Sequence, residues 1–462
     1  MREGKKKLKW LLPSISIGML VFLPIFSNIL LLNASVNVRI YLDTTMYTVD
    51  GEPVTYIDLK PATAKILLNS PDPNGTAHGE SIRPGKSIRL GGYFYVPDKP
   101  MSTIIDWIGN NLDVFSLGFG GTIKPDNITS IRAMNPDVRF YYMAFATTLF
   151  ENPSGSIGPT WGNSHYPQMQ FNTTMRDWVL KLENGSDALG VRSESYNDNA
   201  HLMDLGDMDW ADYFAWIYQD RCIEYNADGV AIDEVMWEGY WNVDTLDNDR
   251  GNDYNNNELL ADYKTTPEIR ATCYQWLERI QSKMDVEIIT QAFWDTAQVY
   301  QDGVWGEHHF KAGGQYGNRL DDINTTIWYE SMTWEQLIDN MKYHAELNRS
   351  FIWATFYNDS DPTALEYAVG SYLMGKPNNR TCLVFHPHDI SGGTYPTSLV
   401  GYSITNVMNE LEQHSNFFDL EMGDALGEMR EVQGIGGKAW RRDFENGIVF
   451  VNPFHSFIPG FE

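Results

Sequence analysis

The sequence predicts an α/β protein: a (β/α)8 TIM barrel preceded by a small N-terminal β segment and followed by a C-terminal all-β module. Three observations lead there. Between residues 88 and 416, eight short apolar runs alternate with helix-length amphipathic segments. Such repeated alternation marks a parallel sheet, and eight repeats are enough to close it into a barrel. The long connections follow strands, at 146–172, 184–208 and 235–265. Loops on that side build the active face of such barrels. Outside this span the helical spacing disappears and only short β patterns remain. A doubly wound open sheet is the competing architecture. It calls for a Gly-rich phosphate turn after the first strand, and the run from Leu90 to Pro97 leads into none.

The chain divides into residues 1–35, 36–87, 88–416 and 417–462. The first part carries Arg2, Lys5, Lys6, Lys7 and Lys9, then 23 residues from Trp10 to Leu32 without a charge. About 20 apolar residues span a bilayer, and a positive flank stays inside. The run is long for a signal-peptide core and Asn33-Ala34-Ser35 is a poor cleavage site, so an uncleaved membrane anchor is expected, with a secreted form as the alternative. Everything after it would then lie outside the cytoplasm. Nine N-x-S/T sequons, from Asn33 to Asn379, fit a glycosylated exterior.

In 36–87, Val38-Arg39-Ile40-Tyr41-Leu42 and Val54-Thr55-Tyr56-Ile57 alternate polar and apolar around the turn signal Asp50-Gly51, and a Pro/Gly/Asn-rich linker follows. The barrel strands are expected at Leu90–Val96, Val114–Phe119, Val138–Phe145, Gly229–Asp233, Glu287–Phe293, Gly303–Glu307, Ser350–Tyr357 and Thr381–His386. Helices are expected over Pro100–Asn111, Trp210–Tyr225, Pro267–Met284 and Trp334–Leu347, with others opening at Pro362 and Pro396. Pro267 behind Thr266 is a helix start, and Thr333 with Gln336 makes a capping box. The tail reads as three strands, Gly427–Val432, Lys438–Asp443 and Ile448–Val451, with Asn446-Gly447 turning the last hairpin.

Composition excludes several functions. Net charge is −27, with no basic stripe beyond residue 9, so nucleic acid is not a partner. Cys222, Cys273 and Cys382 are too few and scattered for a disulfide framework or zinc cluster, and each sits in an apolar pattern that suggests a buried thiol. No Gly-x-Ser-x-Gly elbow is present. The acidic stretch from Asp247 to Glu258 spaces oxygen ligands like a calcium loop, but its glycine falls at the fifth position where the sixth is required. No metal or cofactor is therefore expected. A metal at His308 and His309 would point to a different hydrolase.

The chemistry gathers at strand ends. In Asn226-Ala227-Asp228-Gly229-Val230-Ala231-Ile232-Asp233-Glu234 a helix stops, the chain turns, and a short strand ends in two carboxylates. Alternation puts Val230 and Ile232 against the helices and Ala231 and Asp233 toward the interior, with Glu234 at the rim. Glu307 closes the sixth strand on the face of Gly303 and Trp305. Two carboxyl groups facing one bond are what glycosidic cleavage needs: one protonates the leaving oxygen, the other attacks the anomeric carbon or activates water. Asp233 and Glu307 are the catalytic candidates. Aromatic and polar residues at the same ends are expected to hold a carbohydrate substrate: Tyr93, Tyr141, Glu234, Trp237, Trp294, Asp295, His308, Tyr357 and His386.

Gly-Val-Ala-Ile-Asp-Glu at 229–234, the Glu-ended sixth strand, and the tail from Trp440-Arg441-Arg442-Asp443-Phe444 to Asn452-Pro453 resemble glycosyl hydrolase-like family 15. The resemblance covers about 88–455 and implies a sugar-hydrolase-like barrel with a small C-terminal β domain and a carbohydrate substrate. Asp233 as nucleophile and Glu307 as acid/base is similar to the pairing in several retaining α-glycosidase families. No acid ends the seventh strand (Thr355-Phe356-Tyr357-Asn358), which disfavours a pair from strands four and seven. The competing function is a non-catalytic cell-surface carbohydrate-binding or adhesion protein on an inactivated barrel.

Overall fold

The computed structural model describes residues 37–61, 63–71, 86–92, 99–116, 123–150, 173–181, 185, 187–188, 200–233, 266–290, 301–306, 334–357, 362–375, 380–387 and 404–453. The expected membrane anchor lies outside these residues. Among them, no helix is long and apolar enough to cross a membrane.

Eight strands close a parallel barrel: β4 (Leu90–Gly92), β5 (Val114–Ser116), β6 (Arg139–Phe145), β9 (Gly229–Asp233), β10 (Glu287–Thr290), β11 (Gly303–Gly306), β12 (Ser350–Tyr357) and β13 (Thr381–Pro387). Each pairs with the next in sequence, and β13 returns to β4 through Leu383↔Leu90 and Val384↔Gly91. All eight coincide with the expected runs, because a strand buried on both faces must be apolar nearly throughout. The interior is filled by Val114, Tyr141, Met143, Ala231, Ile289, Trp305, Ile352, Cys382 and Val384. Val230 and Ile232 belong to the larger core between strands and helices. This alternation is the one expected for the fourth strand.

The surrounding helices are α1 (Met101–Asn111), α2 (Pro125–Met134), α3 (Met208–Tyr225), α4 (Thr266–Gln281), α5 (Trp334–Glu346), α6 (Pro362–Gly375), α7 (Ile404–Gln413) and the short α8 (Ser415–Phe418). The Asp207 side chain caps α3, accepting from the Asp209 and Trp210 amides at 2.8 and 3.3 Å. Asn226 ends that helix in the left-handed region, at φ 50°. Gly229 follows because a Cβ there would strike the Glu287 carbonyl of β10. Helix α2 was not expected. It is mostly polar, with only Ile128 and Ile131 buried. The long connection after β6 carries a 3-10 helix (Thr173–Trp178) and a small antiparallel pair, β7 (Thr148–Phe150) and β8 (Ala200–Leu202). Cys222, Cys273 and Cys382 are buried free thiols, and burial pushes the Cys222 thiol up to about 12.

The two terminal β segments, separate in sequence, form one antiparallel sheet. β1 (Val38–Thr48), β2 (Pro53–Leu59) and β3 (Thr63–Leu68) join β14 (Arg430–Gly434), β15 (Gly437–Phe444) and β16 (Gly447–Asn452) in the order β14-β15-β16-β3-β1-β2. The β16–β3 ladder runs from Gly447↔Leu68 to Asn452↔Thr63. The sheet curls until Arg39 and Ile435 exchange backbone hydrogen bonds at 2.8 Å, enclosing a small core around Val38, Ile57, Leu67 and Phe450. Its other face, with Ala64, Ile66, Val449 and Val451, merges with the barrel core.

That contact is made mainly on α6. Gly370 lets the helix approach so closely that a Cβ there would stand 2.6 Å from the Ala64 Cβ. Glu366, 6% exposed, accepts from the Ile66 amide at 3.1 Å and pairs with Lys65. Burial raises its carboxyl pKa, against the pull of Lys65. From the opposite terminus, buried Arg442 donates to the carbonyls of Leu373 and Met374 at 2.8 and 2.9 Å, closing the last turn of α6. The Trp440–Phe444 motif of the tail thus serves docking. Gly370→Val should lower unfolding free energy by about 1–3 kcal/mol through overpacking. Ala64→Gly in the same chain should restore part of the loss made by the smaller Gly370→Ala change. Denaturant unfolding of the single and double variants checks both, and strict additivity would contradict the contact.

Candidate active site and its supporting floor

Asp233 is the last residue of β9, two positions beyond interior Ala231 and opposite Phe145 of β6. β11 ends at Gly306, so Glu307 is the next residue along the chain. Strand β10 lies between these two ends. Asp233 therefore stands at the C-terminal end of its strand, the side of the barrel where the active sites of this architecture lie. The Asp233 side chain, Glu307, Tyr93, Glu234, Trp237, Trp294, Asp295 and His308 lie outside the described residues. So do the His309 and 247–258 metal alternatives. Tyr357 ends β12, and His386 is the penultimate residue of β13 opposite Phe356; their side chains are likewise outside. Among the described residues, no group of three His, Cys, Asp or Glu could hold a metal ion.

One contributor was missed from sequence. Trp305, on β11 and 3% exposed, reaches across the interior, and its Nε1 donates to the Ile232 carbonyl at 3.2 Å. Ile232 is the residue before Asp233. The indole thus ties strand six to strand four one residue before Asp233, although those strands share no ladder. Its parity with Glu307 was visible in the sequence; the hydrogen bond across the barrel was not.

Tyr141 departs from expectation. It was grouped with the active-face aromatics, but its hydroxyl lies at the other end of the barrel, against the first residues of β10 and β12. It donates to Glu287 Oε2 at 2.6 Å and stands 2.9 Å from Ser350 Oγ. Arg139 donates to both Glu287 oxygens at 3.1 and 3.0 Å, and Arg380 also pairs with Glu287. Burial drives the Tyr141 pKa up, and the Glu287 charge reinforces this. Burial also works to raise Glu287, yet the Tyr141 hydroxyl and the Arg139 and Arg380 guanidiniums hold its carboxyl below the ordinary range. A polar cluster with its charges paired makes a floor. At the N-terminal face of such barrels this serves stability. Beside it, Arg89, Asp113, Arg139, Ser350 and Arg380 line a cavity of about 20 Å³, room for about one water.

The same pole explains Asp228 in the fourth-strand motif. Its Oδ2 accepts from Arg132 and from the Phe140 amide, both at 2.7 Å, fastening the start of β9 to α2 and β6. One end of the nine-residue motif therefore holds the strand, and the other delivers Asp233.

The fold is a closed parallel barrel whose fourth strand ends in Asp233. The chain belongs to hypothetical glycosyl hydrolase family 15, whose model matches residues 132–448, and its function is of the glycosidase type. No curated protein matches the sequence. Similar solved structures include a noncanonic maltogenic alpha-amylase from Thermotoga neapolitana, at 10% identity and TM-score 0.40, covering 79% of this chain and 84% of that one. An alpha-galactosidase from Thermus thermophilus has 10% identity and TM-score 0.39, with 90% of each chain covered. Alpha-L-fucosidase isoenzyme 2 from Paenibacillus thiaminolyticus has 10% identity and TM-score 0.39, covering 72% of this chain and 50% of that one.

Glu287→Gln should lower stability at pH 7 by about 1–3 kcal/mol, because it weakens the pairing of two guanidiniums. The folded Glu287 pKa is depressed, so its contribution is fully present above the unfolded value and is lost as pH falls through the folded one. The gap between wild type and Glu287→Gln should therefore close as pH drops below about 4.5. Urea unfolding at pH 7 and at more acidic pH measures it, and a pH-independent gap would contradict the assignment.

Proposed function

We propose that this protein is an extracytoplasmic glycoside hydrolase, held to the membrane by its N-terminal segment. It cleaves O-glycosidic bonds of an oligo- or polysaccharide with Asp233 and Glu307. What supports this reading is that Asp233 closes strand four and that the sequence puts Glu307 directly after Gly306, the last described residue of strand six. Trp305 of the second strand is bonded to the residue before the first acid. Family membership supports the carbohydrate substrate. Asp233 acts as nucleophile or base; Glu307 protonates the leaving oxygen and, in a retaining enzyme, afterwards activates the water. Trp237, Trp294, Tyr93 and Tyr357 offer apolar faces to the sugar's C–H surfaces. Glu234, Asp295, His308 and His386 supply hydrogen bonds that fix its orientation. The uncharged run from Trp10 to Leu32 behind five basic residues supports the anchor.

Trp305 is a positioning residue: it acts on Asp233 through the Ile232 carbonyl. Asp233→Asn and Glu307→Gln should each abolish sugar release in a glycan-panel assay, on the order of a thousandfold or more, with unfolding midpoints unchanged. Variants that release sugar like the wild type would refute the site. Trp305→Phe keeps the ring and loses the donor. It should lower kcat by about tenfold while leaving KM within about twofold, consistent with a small displacement of one carboxylate. A fall in stability with kcat intact would reduce Trp305 to packing alone.

A further inference from the structure

Helix α3 carries an aromatic row that starts in the core at Trp210, runs outward through rings packed against the core, and ends at the surface in Trp216. Trp210 is 3% exposed, and its Nε1 donates to the Ala146 carbonyl at 3.2 Å, fixing the first turn of α3 beside the end of β6. Tyr213, one turn on, is half-buried, and Trp216, a further turn on, is 65% exposed. Half-buried Trp178, from the 3-10 helix after β6, completes the row. Ring centroids are 5.0 Å apart for Trp178–Tyr213 and 5.9 Å for Tyr213–Trp216. A lone exposed apolar side chain needs no explanation; an exposed indole continuous with two other accessible rings does.

The surroundings indicate what the row fits. Asp209 and Asp220 are exposed on the same helix, and Asp212 forms a bidentate pair with Arg279 of α4 at 2.7 Å for both bonds. Apolar faces flanked by acceptors and a guanidinium match a pyranose, which has a C–H face and a rim of hydroxyls. The exposed carboxylates, on a chain of net charge −27, repel uronates and sulfated sugars, so the occupant is a neutral glycan. Position adds a reason. Trp178 and the first turn of α3 follow β6 on its C-terminal side, so the row starts beside the active face and descends the helix.

We propose that Trp178, Tyr213 and Trp216 form a surface subsite that stacks a neutral polysaccharide outside the catalytic mouth. The proposal takes its ligand class from the glycosidase reading but uses none of the catalytic residues. It gives a polymer a second hold, raising its effective concentration at the mouth without changing the chemistry.

Affinity electrophoresis of the full chain in detergent tests it, with gels containing amylopectin, galactomannan or arabinoxylan, and polygalacturonate as the anionic control. Wild type and Asp233→Asn should be retarded equally in at least one neutral gel and not by polygalacturonate. Trp216→Ala should weaken that retardation at least tenfold, Trp178→Ala should weaken it too, and Trp216→Tyr should keep most of it. Hydrolysis of a short oligosaccharide should be unchanged in Trp216→Ala. Four results would each overturn the row: no retardation of wild type in any neutral gel, equal retardation of wild type and Trp216→Ala, equal retardation in polygalacturonate, or a Trp216→Ala effect confined to oligomeric mass, which would make the occupant a second copy. Sugar release is scored separately. Retardation without release sinks the glycosidase reading and leaves the row standing; release without retardation does the reverse.

Discussion

Closure of the barrel rests on β4. Its described residues, Leu90–Gly92, must satisfy β13 on one side and β5 on the other. The middle residue is Gly91, where a Cβ would stand 2.5 Å from Val384 and 2.6 Å from Val114. Those valine side chains occupy the space that a side chain at 91 would take. Polar groups hold the strand in place: Asp113 Oδ2 accepts from the Leu90 amide at 2.7 Å and pairs with Arg89. Tyr372 of α6 accepts from the Arg89 amide at 3.2 Å and donates to the Thr381 carbonyl at 2.8 Å, joining the last strand to the first. If this seam opened, every barrel strand would belong to an open sheet with two free edges, and the mouth would lose its shape.

Helix α6 serves the seam and the terminal sheet at once. Tyr372 faces the closure, while Glu366, Gly370 and the helix C-terminus face β3, β16 and Arg442. The helix is apolar almost throughout, as suits one covered on both sides. The sheet is thereby coupled through this helix to the closing strands of the barrel, with Trp334 of α5 against Trp440 of β15 as a further contact.

All eight barrel strands were legible because burial on both faces imposes a run of apolar residues that period alone exposes. Helix α2 was not, since its exposed Thr129 and Ser130 and half-buried Arg132 leave little periodic signal. The joining of β3 to β16 was invisible for a different reason: alternation defines a strand but not its distant partner. At the site, the position of Asp233 at a strand end followed from the motif. The placement of Tyr141 did not, because a two-residue period tells inward from outward but not which way a long side chain leans along the barrel axis. Trp305 escaped notice because its partner is a backbone carbonyl, which no residue type announces.

The pairing of β3 with β16 also orders events in time. Leu68 needs Gly447 as its ladder partner. On a ribosome adding about 5–20 residues per second, roughly 20–80 s separate the two. During that interval β3 has an unpaired edge, an invitation to strand addition from other chains. Apart from the β13–β4 closure, the barrel's strand neighbours are consecutive and can assemble as they emerge, but the terminal sheet cannot be completed until β16 has been made. Late assembly makes the sheet the clasp of the molecule: a truncation that removed β16 would leave a barrel-length chain with an open, sticky edge at its beginning.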